Sequence, residues 1–308
     1  MKLAMVFPGQ GSQSVGMLRG YDGLPEIDEV RADARAVLGA EFVRLLDEGP
    51  ADDLNLTVNT QPAMVTAGYA VYRAWRALGG PAPEVMAGHS LGEYTALTAA
   101  GAIGFKDCLP LVRFRAQAMQ EAVPAGQGAM AAILGMDDQA ARAACAEADG
   151  EVQAVNFNAP GQVVIAGEKA AVERAIEKCK AHGAKRAMAL PVSAPFHSTL
   201  MRPAAQRLQV YLAKVTLAAP ECAVVNNVDV QMESEPSRIR DALVRQAASP
   251  VRWVETIQAM AAMGATHIVE CGPGKVLAGM TKRIAPQVQS FTLSDRAAVE
   301  QALGAMKG

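Results

Sequence analysis

Five residues, Gly88-His89-Ser90-Leu91-Gly92, constrain this chain more than any other stretch. They follow an apolar run, Val85-Met86-Ala87, and lead into Glu93-Tyr94-Thr95-Ala96-Leu97, which reads as the first turns of a helix. The pattern is G-x-S-x-G, a serine held on a sharp strand-to-helix turn. Glycine on either side lets neighbouring backbone approach where a Cβ would clash. The turn lifts the hydroxyl clear of the sheet, and the helix start directs free N–H groups, including that of Leu91, toward negative charge forming beside it. Gly, Ser and Ala are common here, so the motif alone could be a plain glycine-rich turn. Its place between an apolar strand and a helix makes Ser90 a candidate nucleophile.

The rest of the chain alternates strands and helices without repeats, which predicts an α/β fold with a parallel sheet. Leu3 to Phe7 reads as a buried strand closed by Pro8-Gly9-Gln10-Gly11-Ser12-Gln13. That loop is not a dinucleotide fingerprint, because Ser14 stands where the third glycine belongs. It can instead bring a donor near the site, with Gln10 the candidate, or be a surface turn; spacing alone does not decide. Helical patterns run over Leu38–Leu46, Gln61–Leu78 and Phe105–Ala122. After Pro124-Ala125-Gly126-Gln127-Gly128 the texture changes to β-α-β-β-α-β, the split-βαβ, ferredoxin-like order. A small domain is therefore expected over 125–191, inserted in a major domain of 1–124 and 192–308. Later helices are expected over Pro203–Val215, Ser237–Ala248 and Trp253–Met263, with strands over Ala223–Val228 and Thr266–Glu270. The loop Cys271-Gly272-Pro273-Gly274-Lys275 is not a phosphate loop: the first glycine is missing and Val276 stands in the Ser/Thr place.

A serine nucleophile needs a base, usually histidine. There are four histidines. His89 adjoins the serine and should point away on a sharp turn; His182 ends a helix of the small domain. His267 lies in an apolar strand, where a core histidine is expected. Elimination favours His197, in the irregular loop Pro191-Val192-Ser193-Ala194-Pro195-Phe196-His197-Ser198. No acid is compelling as a third member: Asp107, Asp137, Asp138 and Asp149 fall in helix starts or the small domain. A carbonyl oxygen can hold an imidazole's tautomer instead. Arg115, two positions from Arg113, could be a site residue or a surface arginine.

Composition narrows the partners. The 308 residues carry a formal charge of −2, which gives no push toward nucleic acid or an anionic membrane. Five scattered cysteines, none spaced C-x-x-C, argue against a disulfide frame or a zinc site and for a reducing compartment. The apolar start is too short for a signal peptide, and no stretch reaches membrane-spanning length. A cytoplasmic protein is expected.

At nearly full length the chain resembles the malonyl-CoA:acyl carrier protein transacylases, the acyltransferases of fatty acid synthesis. The likeness rests on Phe7-Pro8-Gly9-Gln10-Gly11-Ser12-Gln13, Gly88-His89-Ser90-Leu91-Gly92-Glu93, Arg115 with Met119-Gln120, and Val155-Asn156-Phe157-Asn158. It continues through Pro195-Phe196-His197-Ser198, Val225-Asn226-Asn227-Val228, Gln246 and Glu270-Cys271-Gly272-Pro273-Gly274. The resemblance implies a hydrolase-like major domain with an inserted ferredoxin-like one. It implies Ser90 as the acylated nucleophile, His197 as its base, and Gln10 with the Leu91 N–H as the oxyanion hole. It further implies Arg115 as the grip on the malonyl carboxylate, Gln246 as the residue whose backbone carbonyl orients the histidine, and Phe196 and Asn158 as substrate contacts. Malonyl-CoA and an acyl carrier protein are the expected partners, with no cofactor or metal and a monomeric chain. Carrier proteins are acidic, so Lys185-Arg186 and Lys282-Arg283 are candidate docking pairs. A malonate-decarboxylase transacylase subunit, an excised polyketide acyltransferase, a serine thioesterase and an inactive carrier scaffold are the alternatives. Arg115 and the missing acid favour transfer over hydrolysis.

Overall fold

A computed structural model describes residues 1–192 and 194–307. Ser193 of the expected His197 loop and Gly308 at the chain's end lie outside the described residues. The first sheet joins β1 (Leu3–Phe7), β2 (Val85–Gly88), β7 (Ala223–Val225), β8 (His267–Cys271) and β9 (Gln289–Leu293). The second joins β3 (Gly128–Leu134), β4 (Val152–Ala159), β5 (Gln162–Glu168) and β6 (Arg186–Ala189).

The first sheet has the order β7-β2-β1-β8-β9 and is parallel throughout. Every residue of β1 and β2 is buried, as helices on both faces of a parallel sheet require. Alternation then divides the side chains between two cores. Met5, Phe7, Met86 and Val269 join one with Val65, Val71 and Trp75 of the Thr57–Ala77 helix. Ala4, Val6, Val85, Ala87 and Ile268 join the other with Trp253 and Ile257.

The second sheet has the order β4-β5-β3-β6, antiparallel throughout. Helices Asp138–Ala146 and Lys169–Ala181 pack on it through Ala141, Val172 and Ala175. This is the β-α-β-β-α-β element order read from the sequence. Asp137 caps the first of these helices, its Oδ1 accepting from Ala140 N–H at 2.8 Å. Phe157 N–H donates to Val251 O at 3.0 Å, and Val251 N–H to Val155 O at 2.8 Å, which ties β4 to the chain entering the Trp253–Ala262 helix.

Several expectations shift. The Ala223–Val228 strand stops at Val225 because the chain turns there: Asn226 N–H bonds Gln231 O at 2.9 Å. The Leu38–Leu46 pattern is split at Gly39 (φ 90°) into helices Pro25–Leu38 and Ala40–Glu48. His267 is not a core histidine. It starts β8 half-buried, stacked on Phe291, with Nδ1 2.8 Å from Thr266 Oγ1. The Cys271–Lys275 loop leads into a helix, Val276–Ile284, whose N-terminus is occupied by the chain itself, Glu270 Oε2 accepting from Ala278 N–H at 2.8 Å. None of the five cysteines is paired. Among the described residues no helix is long and apolar enough to cross a membrane.

Candidate active site

The site is built at the C-terminal ends of β1 and β2, where parallel sheets place their ligands. Register aligns Phe7 with Gly88, and His89 N–H donates to Phe7 O at 3.0 Å. The Pro8–Gln10 loop is thereby carried alongside the serine turn. That turn needs its glycines: a Cβ on Gly88 would stand 1.8 Å from the Gly92 carbonyl carbon, and one on Gly92 2.1 Å from Phe7 O. Ser90 has φ 53° and His197 φ 65°, left-handed conformations that non-glycine residues hold only where their surroundings impose them.

Ser90 Oγ and His197 Nε2 are 2.6 Å apart. His197 Nδ1 lies 2.9 Å from Gln246 O. A carbonyl can only accept, so Nδ1 carries the proton and Nε2 faces Ser90 as an acceptor. His197 is 3% exposed. Burial and the Arg115 charge lower its pKa to about 3, against the opposing effect of the Gln246 carbonyl. The Leu91 and Gln10 N–H groups donate to no acceptor among the described residues, so both are available to an oxyanion. The Gln10 side chain is turned away, with Nε2 donating to Thr57 Oγ1 at 3.1 Å. Gln10 can therefore contribute through its backbone.

Arg115 is not a surface residue. It is 2% exposed, its Nη1 donating to Gln61 Oε1 at 2.8 Å and its Nη2 to Gln246 Oε1 at 2.9 Å and Ser90 Oγ at 3.2 Å. The guanidinium carbon sits 5.2 Å over the Tyr94 ring. Every one of these partners is neutral, and burial pulls its pKa down. A buried guanidinium beside the candidate nucleophile, with no carboxylate in contact among the described residues, can seat an anion.

A cavity of about 640 Å³ opens over these groups; Gln10, Ser90, Leu91, Arg115, Phe196 and His197 are among its lining residues, as are Gln61, Met119, Met130 and Asn156. A groove of about 730 Å³ elsewhere, bordered by Gln127, Glu151, Lys169 and Arg202, holds none of them. Asn158 does not line the active-site cavity. Its Oδ1 lies 2.8 Å from His89 Nε2, so the expected substrate contact braces the residue before the serine, and Asn156 takes the wall position. His89 also borders the cavity, with its ring edge-on to Trp253 at 5.4 Å between centroids.

Sequence reasoning missed Gln61, Glu93 and Asn227. Asn227 Oδ1 accepts from Ser90 N–H at 2.7 Å and its Nδ2 donates to Gly88 O at 2.8 Å, fastening the turn. Its signal was a polar pair, Asn226-Asn227, closing an apolar strand. For Glu93 it was a lone charged side chain in a helix of otherwise uncharged residues, Gly92–Ala99, and for Gln61 a polar residue opening the apolar run Pro62-Ala63-Met64-Val65.

The acyl transferase domain model matches residues 4–307. The malonyl CoA-acyl carrier protein transacylase of Escherichia coli K12 is 55% identical over 98% of this chain and 99% of its own. That of Bacillus subtilis is 43% identical over 99% and 98%. The crystal structure of acyl-carrier-protein S-malonyltransferase from Burkholderia pseudomallei superposes with a TM-score of 0.97 at 60% identity, covering 99% of this chain and 100% of that one. A malonyl-transacylase solved in complex with its type II PKS acyl-carrier protein superposes with a TM-score of 0.97 at 49% identity, over 99% and 100%. With Ser90, His197 and Arg115 brought together on that fold, this chain belongs to the malonyl-CoA:acyl carrier protein transacylase family of acyltransferases.

Proposed function

We propose that the chain carries a malonyl group from malonyl-CoA to the phosphopantetheine thiol of an acyl carrier protein through an ester on Ser90. His197 Nε2 takes the Oγ proton as Oγ attacks the thioester carbonyl. The C–S bond breaks, and the imidazolium returns the proton to the departing CoA sulfur. In the second half His197 deprotonates the carrier's thiol, which attacks the Ser90 ester and regenerates the hydroxyl. Leu91 and Gln10 N–H groups meet the oxyanion in both halves, each worth about 3–4 kcal/mol of barrier.

One observation carries the choice of acyl group: the Arg115 guanidinium is buried beside Ser90, and its hydrogen-bond partners among the described residues are all neutral. A substrate carboxylate supplies the charge it lacks, in the forked geometry that suits arginine. An acetyl group would leave it unpaired. All the groups named come from one chain, which supports a monomeric working unit. The expected docking pairs do not border the cavity. Lys185 and Arg186 flank the Leu134 end of β3, about 13 Å along the strand from the Met130 wall residue. Arg283 is bonded to Gln162 Oε1 at 2.7 Å and to Pro160 O.

The test is intact-protein mass after mixing with malonyl-CoA, with Ser90→Ala and acetyl-CoA alongside. A malonyl adduct on the native chain only, discharged by added carrier protein, is the expected result. Steady CoA release with no adduct would mean hydrolysis and overturn transfer. Neither adduct nor CoA release would overturn the donor.

A further inference from the structure

Glu93 follows the last glycine of the serine turn and is 2% exposed, with no basic side chain in contact among the described residues. Its Oε2 accepts from Asn227 N–H at 2.9 Å and from Gln246 Nε2 at 2.8 Å. Both bonds lead to the reacting groups. Asn227 holds the Ser90 N–H. Gln246 Nε2 also donates to Ser90 O at 3.0 Å, its Oε1 accepts from Arg115 Nη2 at 2.9 Å, and its backbone carbonyl holds His197.

An amide has a donor end and an acceptor end of nearly the same shape, so its neighbours decide which way it lies. A carboxylate only accepts and a guanidinium only donates. With Glu93 on one side and Arg115 on the other, Gln246 has one orientation that satisfies both. Turned over, it would set NH₂ against the guanidinium and oxygen against the carboxylate. Arg115 would then lose the acceptor that fixes Nη2 beside Ser90.

We propose that Glu93 is a positioning residue for malonyl transfer: by fixing the Gln246 amide, its carboxylate aims the Arg115 guanidinium at the substrate carboxylate. This rests on the reading that Arg115 receives that carboxylate. Protonation of Glu93 adds a donor and removes the charge that holds the Gln246 NH₂, leaving the Ser90 carbonyl as the remaining full acceptor for that end of the amide, so the orientation is weakened. Burial raises its pKa to about 7, against the bonds from Gln246 and Asn227 and the Arg115 charge. The other charged groups facing it are Asp229, whose own pKa is held down by Arg245, and Glu233, which lines a small cavity with it.

The experiment measures kcat/KM for acylation by malonyl-CoA and by acetyl-CoA in the native chain, Glu93→Gln and Arg115→Ala. Glu93→Gln should lower the malonyl rate by about tenfold to a hundredfold, the scale of one hydrogen bond to a charged group. It should leave the acetyl rate within a few fold, because acetyl does not use Arg115. In a Gln246→Met background, which keeps the carbonyl but removes the amide, Glu93→Gln should shift the malonyl:acetyl ratio little further. Equal losses for both donors, or the full shift in the Gln246→Met background, would overturn the proposal. Should Glu93→Gln fail to fold, the native ratio decides: it should fall as pH drops through about 7, and a flat ratio would overturn it. The free enzyme's His197 titrates the same way whichever donor follows, so its protonation cancels from a ratio of kcat/KM values. If Arg115→Ala collapses the ratio while Glu93→Gln does not, the positioning role alone fails. If neither does, the carboxylate seat fails with it.

Discussion

Replacing Arg115 by alanine tests the carboxylate seat on which the choice of donor depends. Arg115 is 2% exposed, and among the described residues its guanidinium donates to Gln61, Gln246 and Ser90 oxygens. A malonyl carboxylate placed there is an opposite charge brought into direct contact. Losing one partner of such a buried pair costs about 2–5 kcal/mol. At about 1.36 kcal/mol per tenfold, malonyl kcat/KM should fall by about 30-fold to about 5,000-fold. Acetyl transfer should hold or rise, since the native chain must keep Arg115 buried without an anion when acetyl binds. Folding is affected less than selectivity. Truncation leaves the Gln61 and Gln246 oxygens without donors, about 1–3 kcal/mol each. It also lifts the desolvation of a charge whose pKa is already depressed by burial. The assay is rapid-quench acylation read by intact mass for both donors, with a thermal melt of each protein. Equal losses for malonyl and acetyl at an unchanged melting temperature would refute the reasoning.

Two further outcomes follow from the geometry. Below pH about 6.5 an unfolded His197 takes a proton that the folded chain refuses until about 3. The unfolded state therefore binds more protons in that window, and stability falls with falling pH by up to about 1.4 kcal/mol per unit. His197→Gln should flatten that part of a urea-melt series, and an unchanged slope would count against a neutral buried imidazole. Gly92→Ala sets a Cβ 2.1 Å from the backbone oxygen of Phe7, where no rotamer gives relief. It should cost more than about 4 kcal/mol and abolish the Ser90 adduct, read by melting and by mass; a native-like variant would show that the turn is not held by that contact.

What was legible in the sequence divides along physical lines. Ser90 could be read because a strained turn demands particular residues at fixed neighbouring positions, and those positions are adjacent in the chain. His197 could be reached by elimination, since few side chains can serve as a base. The ferredoxin-like order was visible because period-2 and period-3.6 patterns alternate within a short span. Arg115 stood undecided on spacing alone. Its burial depends on Gln61 and Gln246, which are 54 and 131 residues away. The roles of Glu93 and Asn227 could not be read for the same reason: hydrogen bonds spanning 134 and 137 residues leave no local periodicity. Asn156 and Asn158, two apart, would share a face of a regular strand, but the register shifts of β4, one of them between Phe157 and Ala159, break that alternation, and it is Asn156 that reaches the cavity wall. Beyond the bulged pairing of β4, a motif fixes which segment borders the cavity but not which of its asparagines does.

The absent triad acid has a consequence for the order of events. A carboxylate on Nδ1 would hold the imidazole's basicity up whatever occupied the site. The Gln246 carbonyl fixes the tautomer but adds no charge, which leaves Arg115 as the strongest charge acting on His197, and it acts to lower the pKa. A malonyl carboxylate paired with Arg115 cancels much of that field, and the imidazole becomes a better base. An acetyl group leaves the field in place. The same guanidinium that selects the acyl group at binding thus also sets how readily Ser90 gives up its proton. Discrimination should then appear in the rate of acylation as well as in donor affinity. Were acetyl-CoA to acylate Ser90 as fast as malonyl-CoA at saturation, with only KM differing, Arg115 would act through binding alone and this coupling would be wrong.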